Sequence, residues 1–302
     1  MKPFLPALAL TLAFAARAYS QPGEPISRMT SRLAEEAEAF ARTARSVFAE
    51  ETLRQRTLGP QSRFRPRVGA GANVPAKPSY RTREIVSEYG YSSLQEAPAS
   101  LQEFRQVVRV DGRKVLAPGK ARATLSFGLN SPRDQEKKKM LQEFEKYGLN
   151  GAAVDFGQVI LLFTKRRLAD YEFTPARMAR LGADEAIVLT FRQTGGTESL
   201  TVFSGRHALR QKLSGEVWLR RQDFLPLRIT LTAGRDEAKQ HIRTEASVDY
   251  TRSAHGIVVP ASVVYKETIG GELVSENIFR YSAFRRFGAE SDVKFTEIPA
   301  PN

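Results

Sequence analysis

Residues 225–232 (LPLRITLT) and 241–250 (HIRTEASVDY) alternate apolar and polar side chains with a period of two. Successive side chains of a strand point to opposite faces, so each stretch predicts a strand with one apolar face. The residues on those faces are Leu225, Leu227, Ile229 and Leu231, then Ile242, Thr244, Ala246, Val248 and Tyr250. An antiparallel sheet with one apolar face needs a second layer to bury that face.

Similar strand patterns occupy most of the chain from Thr82 onward. They lie at Glu84–Tyr91, Glu103–Val110, Leu168–Phe173, Glu185–Arg192, Ser199–Phe203, Glu216–Leu219, Ile257–Lys266 and Glu272–Ala283. Beyond Lys165, short turns such as Gly270-Gly271 separate most of these strands and leave no room for crossover helices, which indicates antiparallel neighbours. Asp111-Gly112 predicts a type I′ hairpin turn. We also expect a buried strand at Gln158–Phe163 and a short helical turn at Ala176–Leu181.

Two segments have helical spacing. The first runs from Ser27 to Arg56, and the second runs over residues 132–147, after Ser131 as cap and before Gly148 as stop. The apolar positions are Leu33, Ala37, Phe40, Ala44, Val47 and Phe48 in the first and Met140, Leu141, Phe144 and Tyr147 in the second. Each helix therefore has one face that needs an apolar surface to pack against.

These elements predict an α+β fold, in which helices cover the concave apolar face of a curved antiparallel sheet that forms an incomplete barrel. We divide the chain into three parts. Residues 1–18 are a signal peptide, residues 19–80 hold the N-terminal helix and a basic Pro/Gly-rich loop, and residues 81–302 form the half-barrel with lid helix 132–147.

The first residues indicate export. Lys2 is followed by 13 uncharged residues, Phe4–Ala16, and Ala16-Arg17-Ala18 supplies the small residues that a signal peptidase recognises. Thirteen residues fall short of the roughly 20 that span a bilayer. We expect cleavage near Ala18 and a soluble protein, with the periplasm as its location; the alternative is a retained N-terminal anchor helix.

Composition excludes several chemistries. The 302 residues contain no Cys and only three His, so there is no thiolate nucleophile or disulfide, and a histidine-built metal site is disfavoured. The formal net charge is +13, yet no nucleic-acid-binding motif is present. The basic loop carries Arg63, Arg65 and Arg67, for which we expect an anionic membrane surface or an acidic envelope protein as partner. A solvated linker is the alternative.

The sequence carries little sign of enzymatic activity. Ser291-Asp292-Val293-Lys294 matches S-x-x-K, but one such match is expected by chance and it lies at the chain's end. No G-x-S-x-G, H-E-x-x-H or phosphate-binding loop occurs in the sequence. His207 follows Ser204-Gly205-Arg206 in a position typical of a solvated loop. We therefore predict no catalytic residue and no cofactor.

Several segments of the second half, in order, resemble the periplasmic lipoprotein-carrier (Lol-type) fold and the wider group of outer-membrane lipoprotein-sorting-like proteins. They are Gly215-Glu216-Val217-Trp218-Leu219, the turn 220–224, Leu225-Pro226-Leu227-Arg228-Ile229, Val248-Asp249-Tyr250, Gly256-Ile257-Val258-Val259-Pro260 and Tyr281-Ser282-Ala283-Phe284. The likeness covers about residues 200–297, and upstream it rests on element order. Arg220-Arg221 departs from the acidic residue that the family often has there.

The resemblance implies a hydrophobic cavity that holds acyl chains beneath a helical lid. The lid contacts would be Phe40, Val47, Phe48, Leu141 and Phe144, and the wall residues would be Leu225, Leu227, Ile229, Leu231 and Val248. The expected function is an exported carrier or sensor for a lipid or lipoprotein. The alternatives are an envelope protein-interaction module whose core is filled, and an uncharacterised hydrolase.

Overall fold

The computed structural model describes residues 25–60, 78–149, 156–196, 200–204, 207–237 and 240–286. Its helices are α1 (Ile26–Thr43), α2 (Pro118–Asn130) and α3 (Asp134–Tyr147), with 3₁₀ turns at Ala44–Ser46, Val159–Phe163 and Leu168–Asp170. Its strands are β1 (Val47–Leu58), β2 (Tyr80–Leu94), β3 (Ala97–Val110), β4 (Arg113–Lys114), β5 (Tyr171–Leu181), β6 (Asp184–Gln193), β7 (Leu200–Ser204), β8 (His207–Gln211), β9 (Ser214–Arg220), β10 (Pro226–Glu237), β11 (Gln240–Arg252), β12 (Val258–Ile269) and β13 (Glu272–Arg286).

Eleven strands form one open antiparallel sheet in the order β4-β3-β2-β1-β13-β12-β11-β10-β9-β6-β5, and β7 pairs with β8 separately. A row of directly paired apolar residues crosses eight of these strands, and each is at most 1% exposed. The row is Ile85, Leu53, Phe279, Val263, Val248, Ile229, Val217 and Leu189. We call the face that carries this row the core face.

Helix α1 packs against the core face. Its buried residues, including Leu33 and Phe40, belong to the same hydrophobic cluster as the strand residues of that face. At the end of the helix, the Ser46 hydroxyl donates a hydrogen bond of 2.7 Å to the Thr43 carbonyl. This carbonyl is one of the last four of the helix, which have no hydrogen-bond partner within the helix. Full burial of a side chain such as Phe40 stabilises the fold by about 2 kcal/mol.

Residues 156–163 form a second layer on the core face. Phe156, Val159, Ile160 and Phe163 are buried in the same cluster as α1 and the strands. The Ile160 amide donates to the Tyr250 hydroxyl at 3.0 Å, so a strand side chain holds this short segment in place. The space beside the sheet is thus occupied by two different pieces of the chain.

Helix α2 packs against the opposite face of the sheet. Phe48 pairs with Gly90 there, and both Phe48 and Phe104 join Leu125 and Leu129 of α2 in a separate cluster. A Cβ at position 90 would lie 2.8 Å from the Leu129 side chain, so glycine permits the close approach. Helix α3 contributes to both clusters, because Met140 joins the α2 cluster and Phe144 joins that of the core face.

The antiparallel sheet and most of its strands are confirmed. The eight strands predicted besides 225–232 and 241–250 all overlap observed strands. Asp111 and Gly112 both have positive φ angles (49° and 77°), as a type I′ turn requires. The coarse prediction of helices packed on an antiparallel sheet also holds. Helix α2 was not predicted; Pro118 lies in its first turn, and Pro132 follows its end.

Three local predictions are wrong. The helix expected as far as Arg56 ends at Thr43, and residues 47–58 form β1, which is paired on both sides. Gln158–Phe163 is mainly a 3₁₀ turn, and Ala176–Leu181 continues strand β5. In β1 and β5, pairing with neighbouring strands outweighs local helical preference. The helix predicted at 132–147 begins at Asp134, and Gly148 has a φ of −68° instead of a left-handed conformation.

Candidate ligand-binding site

Six of the ten predicted lid and wall residues come together in the core-face cluster. They are Phe40, Phe144, Leu225, Ile229, Leu231 and Val248, each at most 5% exposed. Leu227 is also buried, at 5% exposure. These side chains contact other side chains of the protein, so the structure places them in a packed core.

Three predicted lid residues lie elsewhere. Phe48 and Leu141 belong to the α2 cluster on the other face of the sheet, and Val47 packs with Ile257 and Val259. Val47 and Phe48 are strand residues of β1, because the predicted first helix ends before them. The structure therefore does not bring all five predicted lid residues to one surface.

A cavity of about 470 Å³ opens at the end of the sheet where β1 ends and β2 begins. Four of its lining residues, Arg81, Thr57, Ser275 and Glu267, are paired in one row across β2, β1, β13 and β12. Thr57 is four residues from Leu53 along β1, so this row lies on the core face. We call this space the rim cavity; none of the ten predicted residues lines it.

The rim cavity has both apolar and polar walls. Leu58, Leu149 and Val274 supply apolar surface, and Arg81 and Arg83 supply positive charge. Arg83 is fixed by two hydrogen bonds, to the Tyr147 carbonyl at 2.8 Å and to Asp111 Oδ2 at 3.3 Å. The arginines were missed by the sequence analysis, although two arginines separated by one residue at a strand's start are a usable signal.

A second cavity lies along the exposed surface of α3 between Asp134 and Gln142. Its lining residues belong to one helix, and Asp134 and Lys138 are already paired there. Asp134 accepts hydrogen bonds from the Gln95 and Glu96 amides, and Lys138 Nζ lies 2.8 Å from Glu96 Oε2. The pKa of Asp134 is lowered, mainly by the hydrogen bonds that its carboxylate accepts from the Gln95 amide. This surface offers no enclosed binding site.

Charged side chains are also buried on the core face, about 20 Å along β1 from the rim cavity, because Glu51 is six residues from Thr57. Arg105 donates to Glu51 at 2.7 Å and to Glu103 at 2.6 Å, and all three side chains are at most 2% exposed. The rings of Tyr89 and Phe144 face the Arg105 guanidinium at 5.2 and 5.0 Å. We call Glu51, Glu103, Arg105, Tyr89, Tyr91 and Tyr281 the buried polar cluster.

Burial controls protonation within the buried polar cluster. Desolvation raises the pKa of Glu51, against the opposing effect of the Arg105 charge. Desolvation lowers the pKa of Arg105, but the two carboxylates overcome this effect and hold its pKa well above the ordinary value. Burial, followed by the nearby Glu103 charge, raises the pKa of Tyr89, Tyr91 and Tyr281. The tyrosines are therefore neutral at physiological pH.

The polar groups extend from the cluster toward the rim cavity. Gln55 Nε2 donates to Asn277 Oδ1 at 3.2 Å, and Gln55 Oε1 accepts from the Leu149 amide at 2.8 Å. Gln55 lies between Glu51 and Thr57 on the same face of β1. Leu53 of the apolar row separates Gln55 from Glu51, so the Gln55–Asn277 pair forms a second polar group between that row and the cavity.

Gly157 packs directly on the buried polar cluster. A Cβ at this position would lie 2.9 Å from both Glu103 Oε1 and the Tyr89 hydroxyl. The chain can approach these oxygens only because residue 157 lacks a side chain. Gly157 thus links the 156–163 segment to the charged part of the sheet.

The remaining chemical candidates do not converge on a site. Trp218 lies on a partly exposed surface between Arg177 and Arg228, whose guanidinium carbons are 5.3 and 5.5 Å from its ring, and its indole donates to Glu216. Within the described ranges, no three His, Asp or Glu side chains are grouped so that they could hold a metal ion. The same part of the chain contains no helix long and apolar enough to cross a membrane.

Several predictions concern residues outside the described ranges. The signal peptide with Ala18, the alternative anchor helix at Phe4–Ala16, the arginines Arg63, Arg65 and Arg67, and the Ser291–Lys294 motif all lie there. His207 begins strand β8, but its side chain is among those whose surroundings are not described. These remain predictions from sequence.

The fold and cavity define an antiparallel-sheet protein with an amphipathic pocket. No protein-family model matches the chain. No curated protein matches it either. Among solved structures, the chain is similar to a DUF1329 family protein from Desulfovibrio piger, with 11% sequence identity and a TM-score of 0.35 over 89% of this chain and 96% of that chain.

Proposed function

We propose that the protein is an exported carrier or sensor of the cell envelope that binds a lipid or a lipoprotein acyl chain without chemical turnover. The rim cavity is the observation that carries this proposal. Its volume of about 470 Å³ lies in the range of small-molecule sites, and it combines apolar walls with a few polar groups. It also opens on the face of the sheet that holds the hydrophobic core.

The energetics suit a carrier. Burial of a methylene group is worth about 0.8 kcal/mol, so 15 methylenes of an acyl chain would gain roughly 12 kcal/mol on leaving water. A bilayer offers nearly the same gain. Exchange between membrane and protein is then close to balanced, and small differences between donor, carrier and acceptor set the direction of transfer.

The predicted wall residues keep a role in this proposal. Leu231 and Val248 belong to the packed apolar core on the same face of the sheet as the rim cavity. An acyl chain longer than the cavity would have to reach this core, and the 156–163 segment is the layer that it would displace. Binding of long chains should therefore depend on that segment.

A filled-core interaction module is the second candidate. The observation that favours it is the packing of the predicted wall: Ile229 and Val248 are fully buried against other side chains of the protein. In that case the protein would act through its surface. The loop arginines Arg63, Arg65 and Arg67 are then the predicted contact with an acidic envelope partner or an anionic membrane.

Mass spectrometry separates the two candidates. The full chain is expressed with its own N-terminus and purified without detergent, and its organic extract is analysed for bound lipid. The carrier proposal predicts a lipid at near-stoichiometric amounts, or binding of a fluorescent acyl probe by protein freed of lipid.

A cavity variant supplies the control. Val274→Trp adds a large ring to the wall of the rim cavity and should reduce probe binding, whereas Val115→Trp changes an exposed residue elsewhere and should not. Repeated lipid-free preparations that also fail to bind the probe would overturn the carrier proposal. A screen of ester, phosphate and glycoside substrates tests the expectation of no turnover.

A further inference from the structure

We propose that the rim cavity recognises the acidic headgroup of its ligand, a carboxylate or a phosphate, through Arg81. This inference rests on the proposed function and specifies the chemistry of the ligand. It assigns the headgroup to the end of the sheet and the apolar tail to the interior of the core face.

The position of Arg81 is the first argument. Its register partner is Thr57, so its side chain belongs to the core face, at the mouth of the cavity. Arg81 is exposed, and among the described residues it has no carboxylate within ion-pair distance. An arginine with free donors can form two parallel hydrogen bonds to a carboxylate or phosphate.

Arg81 has further polar side chains around it. Arg83 is two residues along the same strand and points to the same face, about 7 Å away for an extended chain. Its hydrogen bonds to the Tyr147 carbonyl and Asp111 fix its guanidinium. Thr57 and Ser275 place hydroxyl groups in the row beside Arg81. An acidic group here would meet Arg81, which has no ion-pair partner among the described residues, a second cation nearby and the Thr57 hydroxyl.

Glu267 gives the site its selectivity. It closes the same row on β12 and lines the opposite side of the cavity from Arg81. Its carboxylate repels an acid, so the affinity for a purely acidic headgroup is set by the balance between Arg81 and Glu267. The two residues should therefore have opposite effects on binding, which a merely structural role would not produce.

The test compares two ligands with the same tail. Decanoate and decanol are titrated into lipid-free full-length protein by calorimetry at low ionic strength. Decanoate should bind at least tenfold more tightly than decanol. Arg81→Gln should weaken decanoate binding five- to tenfold and leave decanol binding unchanged, and Glu267→Gln should strengthen decanoate binding.

Arg54→Gln is the matched control. It removes the same charge from the same hairpin, but Arg54 lies on the other face, 67% exposed and 3.3 Å from Glu84. Equal losses in Arg81→Gln and Arg54→Gln would overturn the inference, because they would show a general charge effect. Equal affinities of decanoate and decanol would overturn it and leave the carrier proposal standing. Failure of both ligands to bind would count against both proposals.

Discussion

The two halves of the core face bury their side chains in different ways. On β9 to β12 the face is apolar, with Val217, Ile229, Val248 and Val263 all fully buried. On β1, β2, β3 and β13 the same face carries the buried polar cluster and the Gln55–Asn277 pair. The apolar half is stabilised by area removed from water, whereas each ion of the polar half must keep its partners to offset its desolvation.

The difference also locates the candidate site. The rim cavity opens at the polar half, where β1 meets β2 and β13, and the apolar half is packed. A ligand with a charged headgroup finds polar partners only at the polar half of the core face. Substitutions that affect only one half of the core face can test whether the two halves are stabilised in these different ways.

Arg105→Met should have the largest effect, because it leaves two buried carboxylates without their cation. We expect the free energy of unfolding to fall by about 3–5 kcal/mol in urea titrations monitored by circular dichroism. Arg192→Met removes an exposed ion pair with Glu172 at 2.8 Å and should cost less than about 1 kcal/mol.

A triple variant sharpens this test. Replacing Glu51 and Glu103 by leucine together with Arg105→Met converts the cluster to apolar residues of similar volume. Its stability should recover to within about 1 kcal/mol of the original protein. A triple variant as unstable as Arg105→Met alone would show that charge burial is not the cause of the loss.

Ile229→Ala tests the apolar half. Ile229 is fully buried in the central row, so the substitution removes apolar contacts and leaves a cavity. We expect a loss of about 3 kcal/mol in the same urea titrations. Ile229→Val keeps most of the volume and should cost about 1 kcal/mol. Similar losses for both variants would contradict a tightly packed apolar half.

Gly157→Ala tests the contact between the 156–163 segment and the polar half. The added methyl group would meet Glu103 and Tyr89 at 2.9 Å, so we expect destabilisation by about 1–3 kcal/mol and faster hydrogen exchange of the Ile160 amide. Gly119→Ala is the control, because no atom outside its own helix lies within 4 Å of the new methyl group. That variant should be neutral or slightly stabilising.

The pH dependence of stability isolates Glu51. Its pKa is raised in the folded protein above the ordinary value of 4.5, so the folded state binds more protons than the unfolded state between those two values. The stability from this group is complete below the ordinary value and falls as pH rises through the folded pKa, by at most about 1.4 kcal/mol per pH unit.

Glu51→Gln provides the comparison for this pH effect. The variant lacks the titrating group, so the difference in unfolding free energy between it and the original protein should change across that pH window. Urea titrations from pH 4 to pH 8 measure this difference. A difference that stays constant with pH would mean that Glu51 is ionised throughout.

Much of the sheet could be predicted from sequence, because β10 and β11 bury one face and leave the other partly exposed. Their side-chain alternation is therefore visible in the residues themselves. The start of strand β1 resembles a helix in sequence because Val47 and Phe48 continue the three- and four-residue apolar spacing of α1. Its strand conformation depends on pairing with β2 and β13, which no local pattern records.

The buried polar cluster was beyond prediction for a different reason. Residues 103–108 of β3 are buried on both faces, so polar and apolar positions do not alternate there. Glu51 and Arg105 resemble surface residues until the fold brings them together from 54 positions apart. The rim cavity likewise depends on how the ends of four strands meet.

The pairing of β1 with β13 has a consequence for folding. Gln55 and Asn277 are neighbours in the sheet but 222 positions apart in the chain, so β1 lacks one of its neighbours until almost the entire chain is available. Contacts of such high sequence separation form slowly, and an unpaired strand edge invites association with other chains. We therefore expect the incomplete polypeptide to need protection from aggregation until its final strand is in place.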